Sequence, residues 1–378
     1  MLVQFAILLL VYLYYLLLAS KYDNDDPIGR KKLLLFAGIL LVLQSGLRNL
    51  AVGADTYAYF EIFEDTIHQS WDELWFEFQH ANGEEYAKDP GYLLLQKAFA
   101  CIIPDFRCFL ILVISAFLHA LFRLVYRFGV SMRGILISIS LYLALFYSFF
   151  SITGVRQTIA TAIALYAASF ALDRKALKFF LAIAVAATIH KSVLLFIPFY
   201  FFPILKHNKA TLIIAFASFI PMWFLGQSLG QTLISGTIFD TYENYLEGNV
   251  ETSGAIGFAI LIIISGLLCF HFIQVSSDLE KWRPLLHAVA FSIFYTPMTS
   301  VGPSQMRVIQ YYSIMLVILM PELIKMLRET GRIKMNYELF AFLFFAAYAI
   351  SRGSSYGFFW EPMPLGINYM SNVVIQGW

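Results

Sequence analysis

Two arginines, Arg156 and Arg307, stand at the start of apolar stretches, in GVRQTIATAIAL and PSQMRVIQYYSI. If each stretch is a helix, both guanidinium groups lie at a helix N-terminus, where the helix dipole is already positive and free backbone N–H groups point outward. A cation in that position requires an anion beside it. The pair therefore predicts either ion pairs with Asp55, Glu85 or Asp89, or a shared site for a phosphate group.

A third arginine, Arg48, ends an apolar run in GLRNLAVGADTYAYF, and Asp55 follows shortly after it. Arg48 can bond the last carbonyls of its helix and offset the negative end of the dipole, or it can support the phosphate site. Gly53 forms a turn that would let the Asp55 carboxylate fold back toward Arg48. Asp55 is then either a solvated loop acid, or a positioned acid or ligand of a substrate hydroxyl.

His190 is the histidine predicted at the same end of a core helix as these arginines. Its neighbour Lys191 favours the neutral imidazole through charge repulsion, and a general base must be neutral. The alternative is a hydrogen-bonded packing residue. The histidines show no metal-ligand spacing such as HExxH, so we predict no metal site.

The composition predicts that membrane-spanning helices carry these residues. Of 378 residues, 60% are hydrophobic and only 13% are charged. Apolar runs of about 20 residues can satisfy their backbone hydrogen bonds in lipid only as helices. We therefore predict a single all-α, polytopic transmembrane domain over residues 1–378. Its approximate spans, about twelve, are 2–19, 32–51, 106–127, 133–152, 155–172, 175–190, 191–205, 210–229, 255–275, 284–302, 306–328 and 336–351.

The charges alternate between the gaps that separate these spans. One set of gaps holds 18 of the 26 Lys and Arg residues, which the positive-inside rule assigns to the cytoplasm. The other set includes residues 55–89, with ten acids and Lys88 as the one base. We therefore predict both termini outside, a long periplasmic loop over 52–105 with an interfacial amphipathic helix at 89–103, and a second periplasmic loop over 230–254.

Five motifs occur in a characteristic order along the chain: GLRNLAVGADTYAYF, EEYAKDPGY, GVRQTIATAIALYAASF, ATIHKSVLL and MRVIQYYSIM. In this order the chain resembles the EpsG-like branch of the Wzy-type polysaccharide polymerases over residues 45–315. It departs from the family in GAD, where a hydroxyl residue commonly precedes the acid. The matching positions are Arg48, Gly53, Asp55, Tyr59, Gly91, Tyr92, Arg156, Gln157, His190 and Arg307.

The resemblance implies a GT-C-like glycosyltransferase of the bacterial inner membrane that joins undecaprenyl-diphosphate-linked oligosaccharide repeats at the periplasmic face. Arg156 and Arg307, supported by Arg48, would bind the diphosphate, and His190 or Asp55 would accept the proton of the acceptor hydroxyl. The expected partners are the lipid-linked oligosaccharide, the bilayer, a chain-length regulator and a flippase; no nucleic acid, metal or cofactor is expected. The remaining substrate contacts would be Tyr59, Tyr92, Gln157, Lys191 and Tyr311.

Three other functions fit a membrane protein of this composition: a lipid-linked oligosaccharide flippase or transporter, a membrane O-acyltransferase, and an accessory subunit of polysaccharide synthesis. A transporter needs polar residues along a path through the membrane midplane. Here the cations gather at one face and the helix centres carry almost none, which disfavours translocation.

Overall fold

The computed structural model describes residues 2–80, 89–234, 253–276, 278–300, 305–330, 336–351 and 356–361. Within these ranges the fold is all-helical, and the one β-bridge joins Arg48 to Phe358. The α-helices are α1 (Leu2–Ala19), α2 (Pro27–Gly46), α3 (Thr56–His68), α4 (Trp71–Gln79), α5 (Pro90–Ala100), α6 (Phe106–Arg127), α7 (Met132–Leu145), α8 (Val155–Leu172), α9 (Ala176–Ile189), α10 (Lys209–Ala217), α11 (Phe219–Ile234), α12 (Ser253–Val275), α13 (Leu279–Tyr295), α14 (Met306–Ser313), α15 (Leu316–Thr330) and α16 (Tyr337–Ser351).

Three helices among the described residues are long and apolar enough to cross a membrane, namely α1, α6 and α8. A fourth crossing results if α14 and α15, which meet at a bend of 54°, form one broken span. Several shorter apolar helices accompany them. The bounds of α1, α6 and α8 are those of the predicted spans 2–19, 106–127 and 155–172, whereas the twelve crossings and the GT-C-like fold stay predictions.

The predicted span 191–205 is the clearest departure from regular α-helix. Its residues form a 3-10 helix, Lys191–Phe201, that contains Pro198. Proline has no N–H to donate and clashes with the preceding turn, so an α-helix is disfavoured here. Eleven residues at about 2.0 Å each reach about 22 Å, less than the ~30 Å hydrocarbon layer.

The predicted span 133–152 also ends irregularly. After α7 the chain forms a π-helical segment, Ser148–Thr153, that leads through Gly154 into α8. π-helical turns are uncommon and leave backbone carbonyls in unusual positions. This segment is important for the site because Arg156 follows it within one turn.

The region predicted as a long outer loop is folded into α3, α4 and α5. The predicted helix at 89–103 is observed as Pro90–Ala100, packed against α3, α4 and α9. Its polar residues differ from the expectation for an amphipathic surface helix: Gln96 is buried and donates to the Tyr92 hydroxyl (2.9 Å), and Lys97 donates to the Ile67 and Gln69 carbonyls (both 2.6 Å). Lys97 therefore holds the end of α3.

The predicted outer loop over 230–254 falls mostly outside the described residues. Helix α11 continues to Ile234 and α12 begins at Ser253. Elsewhere the helices that carry the site are closely packed, with α8 against α6 and α9, and α14 against α13 and the 3-10 helix 191–201. These contacts bring the first turn of α8, the last turn of α9 and the start of α14 to the same end of the bundle.

Candidate active site

The centre of the candidate site is a buried acid, Asp89, which precedes α5 and is only 4% exposed. Its Oδ2 atom accepts a hydrogen bond from Arg156 Nη1 (3.1 Å) and lies 3.2 Å from His190 Nδ1. Its Oδ1 atom accepts from the Lys191 backbone N–H at 3.4 Å. One carboxylate therefore joins the predicted diphosphate ligand to the predicted base.

A close approach between two helices makes this contact geometrically feasible. Gly91, in the first turn of α5, lies so near Thr188 of α9 that a Cβ atom there would be 2.7 Å from the Thr188 carbonyl oxygen. Only glycine allows the backbones to come this close. His190 follows as the C-cap of α9 in an extended conformation, where the chain leaves the helix. The approach of α5 to α9 thus places Asp89 against His190.

Arg156 lies between this acid and an aromatic wall. Its Nε atom donates to the Tyr59 hydroxyl at 3.5 Å, and its guanidinium carbon lies 5.7 Å from the centre of the Tyr59 ring. Tyr59 in turn packs edge to face against the buried Tyr92. The Arg156 side chain keeps 22% of its surface exposed, so it can reach a ligand without leaving Asp89.

Arg307 is joined to the same turn of α8 through the neighbour of Arg156. The Gln157 side-chain amide donates to the Arg307 carbonyl at 2.8 Å, which fixes the start of α14 beside the start of α8. The Arg307 guanidinium carbon lies 5.9 Å from the centre of the Phe149 ring, a cation–π contact with the π-helical segment. The two predicted diphosphate ligands therefore begin adjacent helices at one end of the bundle.

Asp55 lies within the electrostatic reach of both arginines. It is partly buried at the start of α3, after Gly53 with its positive φ of 99°. Burial raises the pKa of its carboxyl, and the charges of Arg307 and Arg156 act in the opposite direction. Burial prevails, so Asp55 holds its proton more tightly than a solvated aspartate does.

The pKa of Asp89 is shifted in the opposite direction from that of Asp55. Burial alone would raise the pKa of its carboxyl, but the hydrogen bond and charge of His190, the charge of Arg156 and the Lys191 N–H together lower it. Asp89 is therefore held as a carboxylate. An ionised carboxylate that faces Nδ1 favours the imidazole tautomer with its proton on Nδ1, which leaves the lone pair on Nε2.

Arg48 occupies a different position from Arg156 and Arg307. It is 2% exposed, and its guanidinium donates to three backbone carbonyls: Ser45 (2.6 Å), Ile152 (2.9 Å) and Ser151 (3.2 Å). The Ser45 bond is the predicted capping of its own helix. The other two bonds satisfy the end of the π-helical segment, and the Thr56 hydroxyl shares the Ile152 carbonyl at 3.3 Å. These are the contacts of a residue that positions the approach to α8.

The turn after Gly53 brings the start of α3 to Arg48, because the Arg48 guanidinium donates to the hydroxyl of Thr56, the residue after Asp55, at 3.5 Å. The backbone of Arg48 is covered by the C-terminal segment. The Phe359 N–H donates to the Leu47 carbonyl (3.0 Å), and the Asn49 N–H donates to the Gly357 carbonyl (2.8 Å). The described residues 356–361 therefore form a strap across the end of α2. The charges that act on the Asp55 carboxyl are those of Arg307 and Arg156.

The remaining predicted substrate residues line the same end of the bundle. The buried Tyr311 hydroxyl lies 3.0 Å from Ser192 Oγ, which ties α14 to the 3-10 helix after His190. Lys191 contributes its backbone N–H to Asp89. Tyr92 is fully covered and contacts Tyr59, so its part is to support that wall. Among the described residues no three His, Cys, Asp or Glu side chains are placed to hold a metal ion.

Sequence reasoning considered Asp89 only as a counterion for the arginines and left it out of the site. Phe149 and Ser192 were also missed. A signal for Asp89 was present in EEYAKDPGY, where an acid directly precedes Pro90 and Gly91 at a helix start. The contact with His190 could not be predicted, because the two residues are about one hundred positions apart.

A comparison with protein families places these residues in a known context. The model of the EpsG family matches residues 31–361, which is most of the chain. The chain belongs to the EpsG family. No curated protein and no solved structure matches it significantly. Membership in the EpsG family supports a membrane enzyme with a polysaccharide-polymerase role, and the matched range contains every residue of the site described above.

Proposed function

We propose that this EpsG family member is a polysaccharide polymerase that transfers a growing glycan from undecaprenyl diphosphate to the end of an incoming lipid-linked repeat, at the periplasmic face of the bacterial inner membrane. The observation that carries the proposal is the cluster formed by Asp89, Arg156 and His190, with Arg307 and Asp55 beside it. It combines cations for a phosphate-containing leaving group with a base for a sugar hydroxyl.

The donor half of the reaction uses the arginines. The bond between the anomeric carbon and the diphosphate oxygen breaks, and the electron pair leaves with the diphosphate. Arg156 and Arg307 stabilise the negative charge that develops on that oxygen, and the positive ends of the α8 and α14 dipoles add to the same field. Diphosphate is a good leaving group, so electrostatic stabilisation supplies much of the rate.

The acceptor half uses the imidazole. The new bond forms between the acceptor hydroxyl oxygen and the anomeric carbon, and the hydroxyl proton passes to His190 Nε2. Asp89 orients the ring through Nδ1 and stabilises the imidazolium that results, without itself touching the sugar. Asp55 is the alternative proton acceptor, and its raised pKa suits it equally to donating a hydrogen bond to the substrate.

Surface polysaccharide from a strain that carries single variants tests the proposal. Arg156→Ala or Arg307→Ala should abolish long polymer on a gel while lipid-linked single repeats persist. Arg107→Ala is the matched control, because Arg107 packs on the Phe359 ring outside the site. Loss of the single repeat from the surface would indicate a flippase, normal chain length with altered acetylation would indicate an acyltransferase, and unchanged polymer would contradict the proposal.

A further inference from the structure

A cavity with both polar and apolar lining residues lies at the start of α7, whereas the candidate active site lies beyond the other end of that helix. The charge pattern predicts that this end of the bundle is cytoplasmic. It has a volume of about 180 Å³ and lies between α1, α7 and α16. Its lining is largely apolar and aromatic, with a single arginine and a single glutamate. The lining residues are Tyr12, Tyr15, Leu16, Arg133, Leu136, Asn336, Glu338, Leu339 and Phe342.

The charges in this cavity are unequally satisfied. Glu338 is nearly covered, with 6% of its side chain exposed, and it accepts a hydrogen bond from Arg328 at 2.8 Å. Arg328 also lies 4.0 Å from the exposed Glu329. Arg133 is farther from Glu338, at 3.8 Å, and its side chain is 49% exposed. Glu338 is therefore neutralised mainly by Arg328. The more distant Arg133 guanidinium can bind a second anion.

Two further features add to the positive potential at Arg133. The residue lies in the first turn of α7, whose dipole is positive at that end. Its Nε atom donates to the Tyr15 hydroxyl at 3.3 Å, which holds the guanidinium over the cavity. The Tyr15 hydroxyl can still donate its own proton to an anion in the same place.

The apolar part of the lining indicates what kind of anion fits. Tyr12 and Phe342, which both line the cavity, stack on each other with ring centres 5.6 Å apart, and Leu136 is a buried lining residue. Leu16 and Leu339 are 47% and 41% exposed, in helices whose outer surfaces are apolar. A soluble anion would leave this surface in water, whereas the acyl chains of a lipid would cover it.

We propose that the cavity binds an anionic glycerophospholipid, with the phosphate diester on Arg133 and the Tyr15 hydroxyl and an acyl chain along Leu16 and Leu339. A cavity of this volume holds a headgroup but not whole chains, so the chains must continue along the apolar surface of α1. An anionic headgroup is favoured over a zwitterionic one because Glu338 is already bound by Arg328 and offers a choline or ammonium group little charge.

Lipid binding to the purified, delipidated full-length protein tests this proposal. Phosphatidylglycerol should raise the Tm and appear as a bound adduct in native mass spectrometry, and Arg133→Gln should weaken its Kd at least tenfold. Leu339→Trp, which fills the cavity without changing a charge, should weaken binding as well. Arg123→Gln is the control, because Arg123 in α6 packs on the Tyr166 ring of α8 and does not line the cavity. This variant should bind the lipid as the wild type does.

The probes separate the alternatives. Equal affinity for phosphatidylcholine would overturn the anionic selectivity, and an equal Tm rise with glycerol 3-phosphate alone would show a site for a free phosphate instead of a lipid. Unchanged phosphatidylglycerol affinity in both Arg133→Gln and Leu339→Trp would place the lipid elsewhere and overturn the proposal.

Discussion

Asp89→Asn is the substitution that separates positioning from folding at the candidate site. It removes the negative charge between Arg156 and His190 with almost no change in volume. The charge-assisted hydrogen bond to Arg156, at 3.1 Å, is worth about 1.5–3 kcal/mol in a protein. Loss of the partner of a fully buried charge costs about 3–5 kcal/mol, but Arg156 keeps some access to water, so we expect about 2–3 kcal/mol of lost stability.

The effect on activity should be larger than the effect on stability. An asparagine can offer its NH₂ group to Nδ1 and so favour the opposite imidazole tautomer, and without the carboxylate the imidazolium is less stable. General-base catalysis contributes about 10²–10⁴-fold, so we expect polymerisation to slow by at least about 10²-fold. The assay is the initial rate of polymer formation from lipid-linked repeats by purified protein, with thermal unfolding measured in parallel.

Asp65→Asn is the matched control, because Asp65 is an exposed acid of α3 in the same region. It should leave both rate and Tm unchanged. If Asp89→Asn folded normally and kept its rate within about threefold of the wild type, Asp89 would not position the base and the reasoning would be refuted. Asp89→Glu, which keeps the charge, should recover part of the rate if the charge is what matters.

The pH dependence of stability gives an independent test of Asp89. Because its pKa is lower in the folded protein, it contributes stability above its unfolded pKa of about 3.9, and that contribution is lost as the pH falls through the folded value. The Tm difference between the wild type and Asp89→Asn should therefore be full at neutral pH and shrink in acid. A Tm difference that grows in acid would contradict the lowered pKa of Asp89 in the folded protein.

Three further predictions follow from contacts around the site. Gly91→Ala should abolish polymer formation, because its Cβ would press on the Thr188 carbonyl and separate α5 from α9; surface polysaccharide gels report the loss. Arg48→Lys should lower the Tm by several degrees through lost carbonyl hydrogen bonds, each worth about 1.5–3 kcal/mol, while the folded fraction binds undecaprenyl diphosphate with the wild-type Kd. Asp55→Asn should still lose activity at low pH if His190 is the base, because the imidazole is protonated there. A pH–rate profile of the variant measures this.

Each of these predictions has a result that contradicts it. Gly38→Ala meets only ordinary contacts with Phe122 and is the control for Gly91→Ala, so equal losses would point to a general helix effect. A tenfold weaker Kd in Arg48→Lys would make Arg48 a ligand of the diphosphate. Disappearance of the acidic limb in Asp55→Asn would make Asp55 the base, since activity would then have followed the ionisation of its carboxyl through its raised pKa.

Several elements could be predicted from sequence because local rules determine them. Hydropathy alone located α1, α6 and α8 to the residue, since long apolar runs bounded by turns have one stable form in lipid. The placement of Arg156 at the start of α8 followed from the same pattern. Hydropathy could not show that residues 148–153 are π-helical, where Arg48 binds the Ser151 and Ile152 carbonyls from a distant part of the chain. It also did not show that residues 191–201 are 3-10, although Pro198 is a local signal against an α-helix there.

The sequence predicts which charged residues belong to the candidate site, but it does not predict which of them contact one another. The position of Arg156 at a helix N-terminus predicts an anionic partner, and Asp89 is one of the acids predicted for that role. The choice of Asp89 required the approach of α5 to α9 at Gly91, which depends on tertiary packing. Arg48 as a further phosphate ligand stays a prediction. Its bonds to the carbonyls of the π-helical segment, and the strap of residues 356–361 over its backbone, could not be predicted because they join residues that are far apart in the sequence.

A cryo-electron microscopy structure of the protein with undecaprenyl diphosphate tests the central claim most directly. We predict the diphosphate within hydrogen-bonding distance of Arg156 and Arg307, at the starts of α8 and α14, with His190 facing the space beside it and Arg48 still bound to its carbonyls. Diphosphate bound at another end of the bundle, or out of reach of both Arg156 and Arg307, would contradict it.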